Sequence, residues 1–453
     1  MKRLFEDEAV DRRFRRGQWR MLSLTIIGYT LFYCMRKNFS FAMPGLEQDL
    51  GLTKSMLGNC LMAGGIVYGV SKFLNGFVGD RVRAKSLLCI GLAVCALVNV
   101  AFGFAPQIAA LCGGRGESVG AVQIAAVLGV LIVANQFFQG MGFPPCAKLI
   151  AFWIPPNELA TKMSLWNTSH SIGGGLVAKL CGLIMALGVV GASNQGVGMW
   201  RWCFWTMAGI GLAGVAVMWL FLPGTPEEEG LPPVPGTERS KAESGEADRG
   251  PGSARLIFAN PVVWMLGVTN LTVNAARALI ADWGPTMLQE AKGLSTSDAG
   301  SHLMFFEFAG IAGMVVAGWV TDRFADGRVP RVCVFMLSLA CAALAVFWLL
   351  PPGLASCAGL CLFGFLLYGP QALTGVAVTN LCGKDCAGRA IGFVSLFSYL
   401  GASLSGKVCG MLAQKTGAWS MPVAVIGATI AVGAVVFLFL WGARAHNYEI
   451  EGA

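Results

Sequence analysis

Charge is the scarcest feature of this sequence. Lysine, arginine, aspartate and glutamate make up 13% of 453 residues, about half the share of a soluble domain, while 55% are hydrophobic. That balance, with a mean hydropathy of +0.63, excludes an ordinary soluble globule and reads as a polytopic membrane protein. Histidine is rarer still, with 3 in the chain, and the 15 cysteines are scattered singly through apolar stretches such as those around Cys60, Cys89, Cys95, Cys181 and Cys409. No zinc-ligand spacing joins them, so they read as small core residues, and no metal or cofactor is expected. There is no GxSxG elbow, no HExxH pair and no Walker loop. The expectation is therefore not an enzyme, and an intramembrane hydrolase or transferase finds no supporting arrangement. The first 20 residues are too polar and basic for a cleaved signal peptide, which leaves the first apolar helix as an uncleaved anchor.

What is abundant is apolar length and glycine. Apolar segments of roughly 20 residues, matching a ~30 Å hydrocarbon core, lie near 21–43, 56–79, 85–105, 121–143, 162–190 and 201–222, and again near 260–288, 300–320, 331–350, 355–380, 388–413 and 420–442. Between the two sets, residues 223–255 are rich in Pro, Gly, Ser and charge and cannot bury enough apolar surface to fold alone. The predicted fold is all-α and integral to the membrane: twelve transmembrane helices in two six-helix halves, 1–222 and 256–453, joined by the linker 223–255. The 60 glycines are about double the usual ~7% frequency, as close helix packing in lipid requires. SIGGGL (Ser171 to Leu176) is read as packing, and FPPC (Pro144, Pro145) and YGPQ (Pro370) as kinks.

Positive charge concentrates in the N-terminus (Lys2 to Arg20) and in alternate connections at Arg81, Arg83 and Lys85, at Arg323, Arg328 and Arg331, and at Lys384 and Arg389. The other loops hold little beyond Lys54, Arg115, Lys292 and Lys415. By the positive-inside rule both termini are cytoplasmic, the linker with them. The net charge of +8 is mostly this asymmetry, and no nucleic-acid partner is expected.

The two halves repeat each other. Arg36 and Arg277 sit inside apolar helices, and each is followed by a GxxxDR turn: Asp80 lies 44 residues after Arg36 and Asp322 lies 45 after Arg277. A parallel repeat with an even number of spans per half fits two halves related by an axis along the membrane normal. A guanidinium keeps its proton, so at membrane depth it needs an anionic partner. Arg36 alone also admits the reading of a helix-end side chain that snorkels, whereas Arg277 lies about 17 residues into its span. Two such groups at matching places point to one anionic substrate between two halves. The remaining intramembrane ionisable groups are Lys37, Lys72, His170, Lys179, Asp282, Glu307 and Lys407, leaving an excess of cations.

The GFVGDRVRAK and GWVTDRFADGR turns resemble the cytoplasmic loop motif of the major facilitator superfamily, with Asp80, Arg81, Asp322 and Arg323 in its Asp/Arg cluster. GYTLFYCMRKNFSFAMP, YGVSKFLNGFVGDR, QGMGFPPCAK, WNTSHSIGGG, ADWGPTML, FEFAGIAGMVVAGWVTDR and YGPQALTGVA together resemble the organophosphate:phosphate antiporter family over nearly the whole chain. Within that family the likeness is greatest to the hexose-phosphate branch, which includes sugar-phosphate sensors. The resemblance implies exchange of a sugar phosphate, foremost glucose 6-phosphate, for inorganic phosphate. It keeps open a sensor that binds the same ligand and regulates a membrane kinase, and a glycerol-3-phosphate antiporter.

The same resemblance implies that Arg36 and Arg277 clamp phosphate, each with two parallel hydrogen bonds, and that His170 lies beside it. Tyr29, Tyr33, Trp166, Asn167 and Tyr399 fall where the family lines its cavity. Lys37 with Asp282 and Lys72 with Glu307 would form ion pairs that exchange during gating. Asn274 departs from the pattern, standing where the family often has an aromatic residue and implying a more polar pocket. Lys407 adds a cation that several relatives lack. The implied partners are organophosphate, inorganic phosphate and membrane lipid. The expected setting is the bacterial inner membrane, with one chain sufficient as a functional monomer.

Overall fold

Long apolar runs become helices at nearly every predicted place in the computed structural model, which describes residues 5, 7–112, 120–190, 198–234, 260–325, 328–382 and 387–442. The helices are α1 (Glu8–Leu50), α2 (Lys54–Arg81), α3 (Ala84–Gly103), α4 (Ala105–Cys112), α5 (Ala121–Gln139), α6 (Phe143–Trp153), α7 (Pro156–Asn167), α8 (Ser169–Val190) and α9 (Trp200–Phe221). After the central segment come α10 (Pro261–Ala278), a π-helical turn (Leu279–Trp283), α11 (Gly284–Lys292), α12 (Thr296–Phe324), α13 (Val329–Leu349), α14 (Leu354–Cys382), α15 (Ala387–Thr416) and α16 (Ser420–Phe439). Among the described residues ten stretches are long and apolar enough to cross a membrane. α1 and α2 are long enough as well but carry Arg36, Lys37 and Lys72 among their apolar residues, and they complete the twelve expected spans.

The differences from expectation have local causes. α1 runs for 43 residues rather than the 23 or so of its apolar segment. Its polar start is supported by the Asp7 carboxylate accepting from the Ala9 N–H at 2.8 Å and by an Asp11–Arg15 pair one turn apart at 2.9 Å. The fourth span ends its first helix at Gln139, and α6 begins anew with Pro144 in its first turn, where a missing N–H costs nothing. The fifth span breaks at Thr168, between α7 and α8. α8 then passes so near α1 that a Cβ on Gly173 would stand 2.7 Å from the Thr30 carbonyl oxygen.

By internal packing the chain forms two compact units. The first comprises residues 1–39, 67–177 and 201–247, and the second comprises 40–66, 178–200 and 248–453. The second unit thus combines the last six spans with the ends of α1, α2 and α8. There, a Cβ on Gly58 would lie 2.9 Å from the carbonyl of Gly406, so α2 and α15 cross almost backbone to backbone.

In the first unit, residues 223–234 of the predicted linker dock instead of hanging free. Leu231 and Val234 are buried, and the Trp153 indole donates to the Gly224 carbonyl at 2.7 Å. Two apolar side chains and an indole anchor supply what the polar remainder lacks. Residues 235–259 lie outside the described residues.

Candidate functional site

On α1, Tyr29, Tyr33 and Arg36 recur at helical spacing and form one stripe, with Lys37 beside it. The Arg36 guanidinium lies 3.9 Å from the centroid of the Tyr68 ring and 5.5 Å from that of Tyr33. Faces of electron-rich rings offset part of the cost of taking a cation out of water. Tyr33 and Arg36 are partly exposed, whereas Tyr29 is buried and Trp166 has no exposed surface. Tyr29 packs on Trp166 with ring centroids 4.7 Å apart, and Trp166 on Phe143 at 5.7 Å, so Trp166 backs the aromatic wall from behind.

His170 stands 5.6 Å from Tyr33, ring to ring, and its Nδ1 bonds to the Asn167 carbonyl. That bond exists because the helix breaks at Thr168, and it sets the imidazole's orientation next to Arg36's tyrosine. The Asn167 side chain is exposed. Lys72 on α2 holds its ammonium 4.1 Å over the Phe143 ring. The first unit therefore gathers Tyr29, Tyr33, Arg36, Lys72, Trp166 and His170 around α1.

The second unit builds its arginine differently. Arg277 is the penultimate residue of α10, just before the helix widens into the π-turn that carries Asp282. The Arg277 Nε–H donates to the Tyr368 hydroxyl at 2.7 Å, and that hydroxyl donates to Glu307 Oε2 at 2.6 Å. A guanidinium nitrogen of Arg277 also lies 3.5 Å from the same carboxylate oxygen. Tyr368 is fully buried and Glu307 nearly so, so the three groups satisfy one another away from water. Charge-assisted bonds of this kind are the strong ones, and each is worth about 1.5–3 kcal/mol.

Asn274, three residues before Arg277, donates to the Asn270 carbonyl at 2.8 Å and to the Ser398 hydroxyl at 3.2 Å. Its N–H groups thus tie α10 to α15. Tyr399 and Lys407 are partly exposed on α15, two helical turns apart. Lys179 donates to Ser301 at 2.8 Å. Of the loop motif, Arg323 is exposed near the end of α12, while the side chains of Asp80, Arg81 and Asp322 lie outside the described residues.

Three residues of these clusters escaped the sequence reading. Tyr68 lies one helical turn before Lys72, and Tyr368 is in the YGPQ run, where Pro370 alone drew notice. Phe143 opens FPPC. A turn of spacing from a lysine was the one available signal, and it applied only to Tyr68.

Comparison with known proteins agrees with this architecture. The family model described as Major Facilitator Superfamily matches residues 25–406. The chain is 34% identical to the glycerol-3-phosphate transporter of Bacillus subtilis (strain 168), covering 88% of this chain and 86% of that one. It is 33% identical to the membrane sensor protein UhpC of Salmonella typhimurium, over 97% and 95%. A probable hexose phosphate transport protein of Chlamydia pneumoniae is 31% identical over 99% and 96%. In fold it matches a bacterial homolog of the human lysosomal transporter Spinster, solved inward-facing and unoccupied, with a TM-score of 0.74, 15% identity and coverage of 93% and 96%. The chain belongs to the Major Facilitator Superfamily, in its organophosphate:phosphate antiporter branch. It is a multi-pass integral membrane protein.

Proposed function

We propose that this chain is a secondary transporter, not an enzyme, that exchanges a sugar phosphate for inorganic phosphate by alternating access. The substrate of choice is glucose 6-phosphate or another hexose phosphate. One observation carries the reading: each half places one arginine within a span and sets its guanidinium against a tyrosine, Arg36 on Tyr68 and Arg277 on Tyr368. Two fixed forks, each able to grip phosphate oxygens bidentately, suit a divalent anion better than any neutral solute. The names of the relatives from Bacillus subtilis and Chlamydia pneumoniae support phosphorylated substrates.

In this mechanism Arg36 and Arg277 take the phosphate from opposite halves, with His170 adjusting to its charge. Tyr29, Tyr33, Trp166, Asn167, Asn274, Tyr399 and Lys407 shape the space for the sugar. A charge pair at ~4 Å is worth roughly 4 kcal/mol at an effective dielectric near 20, enough to convert binding into closure of the halves. Phosphate arriving at Arg277 competes with Glu307, which now holds that guanidinium together with Tyr368. The carboxylate released in this way is free to pair with Lys72, while Lys37 pairs with Asp282. The loop residues Asp80, Arg81, Asp322 and Arg323 serve the conformational change and not binding. Both termini face the cytoplasm, the membrane is the bacterial inner membrane, and a monomer suffices.

Uptake of radiolabelled glucose 6-phosphate into proteoliposomes preloaded with phosphate, beside empty vesicles, tests the proposal. Uptake that depends on loading is expected, and uptake independent of loading would exclude exchange. A second reading has its own support, since a membrane sensor protein is 33% identical over 97% of this chain. A sensor would bind the sugar phosphate without flux and would contact a membrane kinase. Preference for glycerol 3-phosphate in competition would move the substrate to the Bacillus relative's class.

A further inference from the structure

Among the described residues of the first unit six amide side chains are buried; Gln18 and Asn75 bond elsewhere, to Trp153 and Ser71, and the other four form one cluster among apolar spans, where each unmet amide N–H would be orphaned in lipid. They are Asn38 on α1, Asn99 on α3, and Asn135 and Gln139 on α5, none more than 4% exposed. Three of their bonds converge on the backbone of one stretch of α1, and Asn99 also donates to the Cys95 carbonyl of its own helix at 2.9 Å and to Asn135 Oδ1 at 3.5 Å. Gln139 donates to the Phe32 carbonyl at 2.9 Å. Asn99 and Asn135 both donate to the Met35 carbonyl, at 3.2 and 3.1 Å. Asn38 completes the ring, donating to Asn99 Oδ1 at 2.6 Å and to the Cys203 carbonyl of α9 at 3.2 Å.

We infer that this amide lattice positions Arg36: it locks the rotation and height of α1 so that the guanidinium meets the phosphate at a set angle. The inference rests on the reading of Arg36 as a phosphate ligand. Phe32, Met35 and Asn38 are spaced three residues apart, a stripe about 9 Å long at a rise of ~1.5 Å per residue. Residues 33, 36 and 37 fall on the neighbouring, partly exposed stripe. Gripping the helix at three heights on one stripe leaves it no freedom to roll or slide, and roll is what would swing Arg36 off its target. Hydrophobic packing alone resists such motion poorly, because a methyl group slides over another with little change in energy. A carbonyl held by two amides, as at Met35, has a fixed direction. At Phe32 and Met35 the bonds reach α1's backbone, so the grip there does not depend on which side chains line the stripe, whereas Asn38 is held through its own amide.

The test uses the full-length protein in detergent, with inorganic phosphate as the ligand and two near-isosteric variants, Asn135→Leu and Gln139→Met. Each is made alone and together with Arg36→Lys. Phosphate Kd is expected to rise about tenfold in the native background and less than twofold beside Arg36→Lys, the non-additivity expected of groups acting through one another. Hydrogen exchange at residues 32–39 should quicken, with protection of α16 unchanged. A purely structural role would weaken binding by the same factor in both backgrounds, and that result would overturn the inference. Unchanged exchange at 32–39 would overturn it too, whether or not phosphate binds. A wild-type protein that binds neither phosphate nor a sugar phosphate would sink the proposed function. Faster exchange in the variants with no anion bound would leave a lattice that steadies a helix and aims nothing. The second variant protects against misfolding of the first, since Gln139 stands at the lattice edge with one described bond.

Discussion

The two arginines occupy matching places in the repeat, yet the two halves hold them in opposite ways. Around Arg36, α1 is an unbroken helix, and amides from α3 and α5 reach in to its backbone. Around Arg277, the arginine helix itself reaches out: Asn270 donates to the Val394 carbonyl and Asn274 to Ser398. The helix then widens into a π-turn, a feature that is rare and concentrates at functional sites. Arg36 rests on aromatic faces, whereas Arg277 has a buried carboxylate among its partners. Duplication has kept the charge and its depth and has let the support diverge. If the proposed site is right, Arg277 exchanges Glu307 for the anion, which makes its half the better candidate for the moving part.

Removing either fork tests the shared element of that comparison and carries the largest effect. Arg36→Lys and Arg277→Lys keep the charge and lose the bidentate geometry, and each is expected to lower exchange in loaded proteoliposomes at least about 100-fold. Equal activity of both variants with wild type would end the clamp. A large loss at one site alone would show that only that half grips the phosphate.

Glu307→Gln separates the halves. It leaves the Tyr368 bond possible and removes the charge that competes for Arg277, so phosphate should bind several-fold tighter while exchange slows about tenfold. Binding by isothermal titration beside flux resolves the two. Weaker binding would mean that Glu307 organises Arg277 and does not compete with the substrate. Tyr368→Phe follows in size. It deletes the hydroxyl that accepts from Arg277 and donates to Glu307, at a cost of about 1–2 kcal/mol in substrate affinity. Tyr68→Phe, by contrast, leaves an aromatic face under Arg36 and should cost less than half of that in the same assay.

How much of this was legible beforehand divides along the same line. Spans, the six-and-six arrangement and the arginine pair follow from hydropathy, charge and repetition, all of which are local in sequence. His170 and the breaks at FPPC and Thr168 lie close to readable motifs. The engagement of Glu307 by Arg277 and Tyr368 was not readable, because it joins α10, α12 and α14 across 30 and 61 residues, and packing alone decides it. A tyrosine in an apolar span has the same hydropathic signature whether it packs or bonds, which hid both Tyr68 and Tyr368. The π-turn has no breaker inside LIADW, and only Gly284 and Pro285 just beyond it hint at a change of pitch.

The last prediction concerns stability and asks whether the end of α1, which packs within the second unit, carries the contrast further. There Lys54 lies 2.8 Å from Glu47 and 2.8 Å from Glu290, at the point where α1 and α2 turn back. Burial works against the Lys54 charge, but its bonds to Glu290 and Glu47 outweigh burial and hold the ammonium above its ordinary range. Burial raises Glu47 as well, and Lys54 offsets part of that rise. A lysine whose folded pKa exceeds its unfolded value of about 10.4 contributes stability that is fully present below that pH, and the contribution is lost as pH climbs through the raised value. Thermal melts of wild type and Lys54→Gln should therefore differ by about 1 kcal/mol at pH 8, with the gap closing as pH climbs above about 10.4. A gap that stays constant over that window would mean the lysine stem matters there and its charge does not.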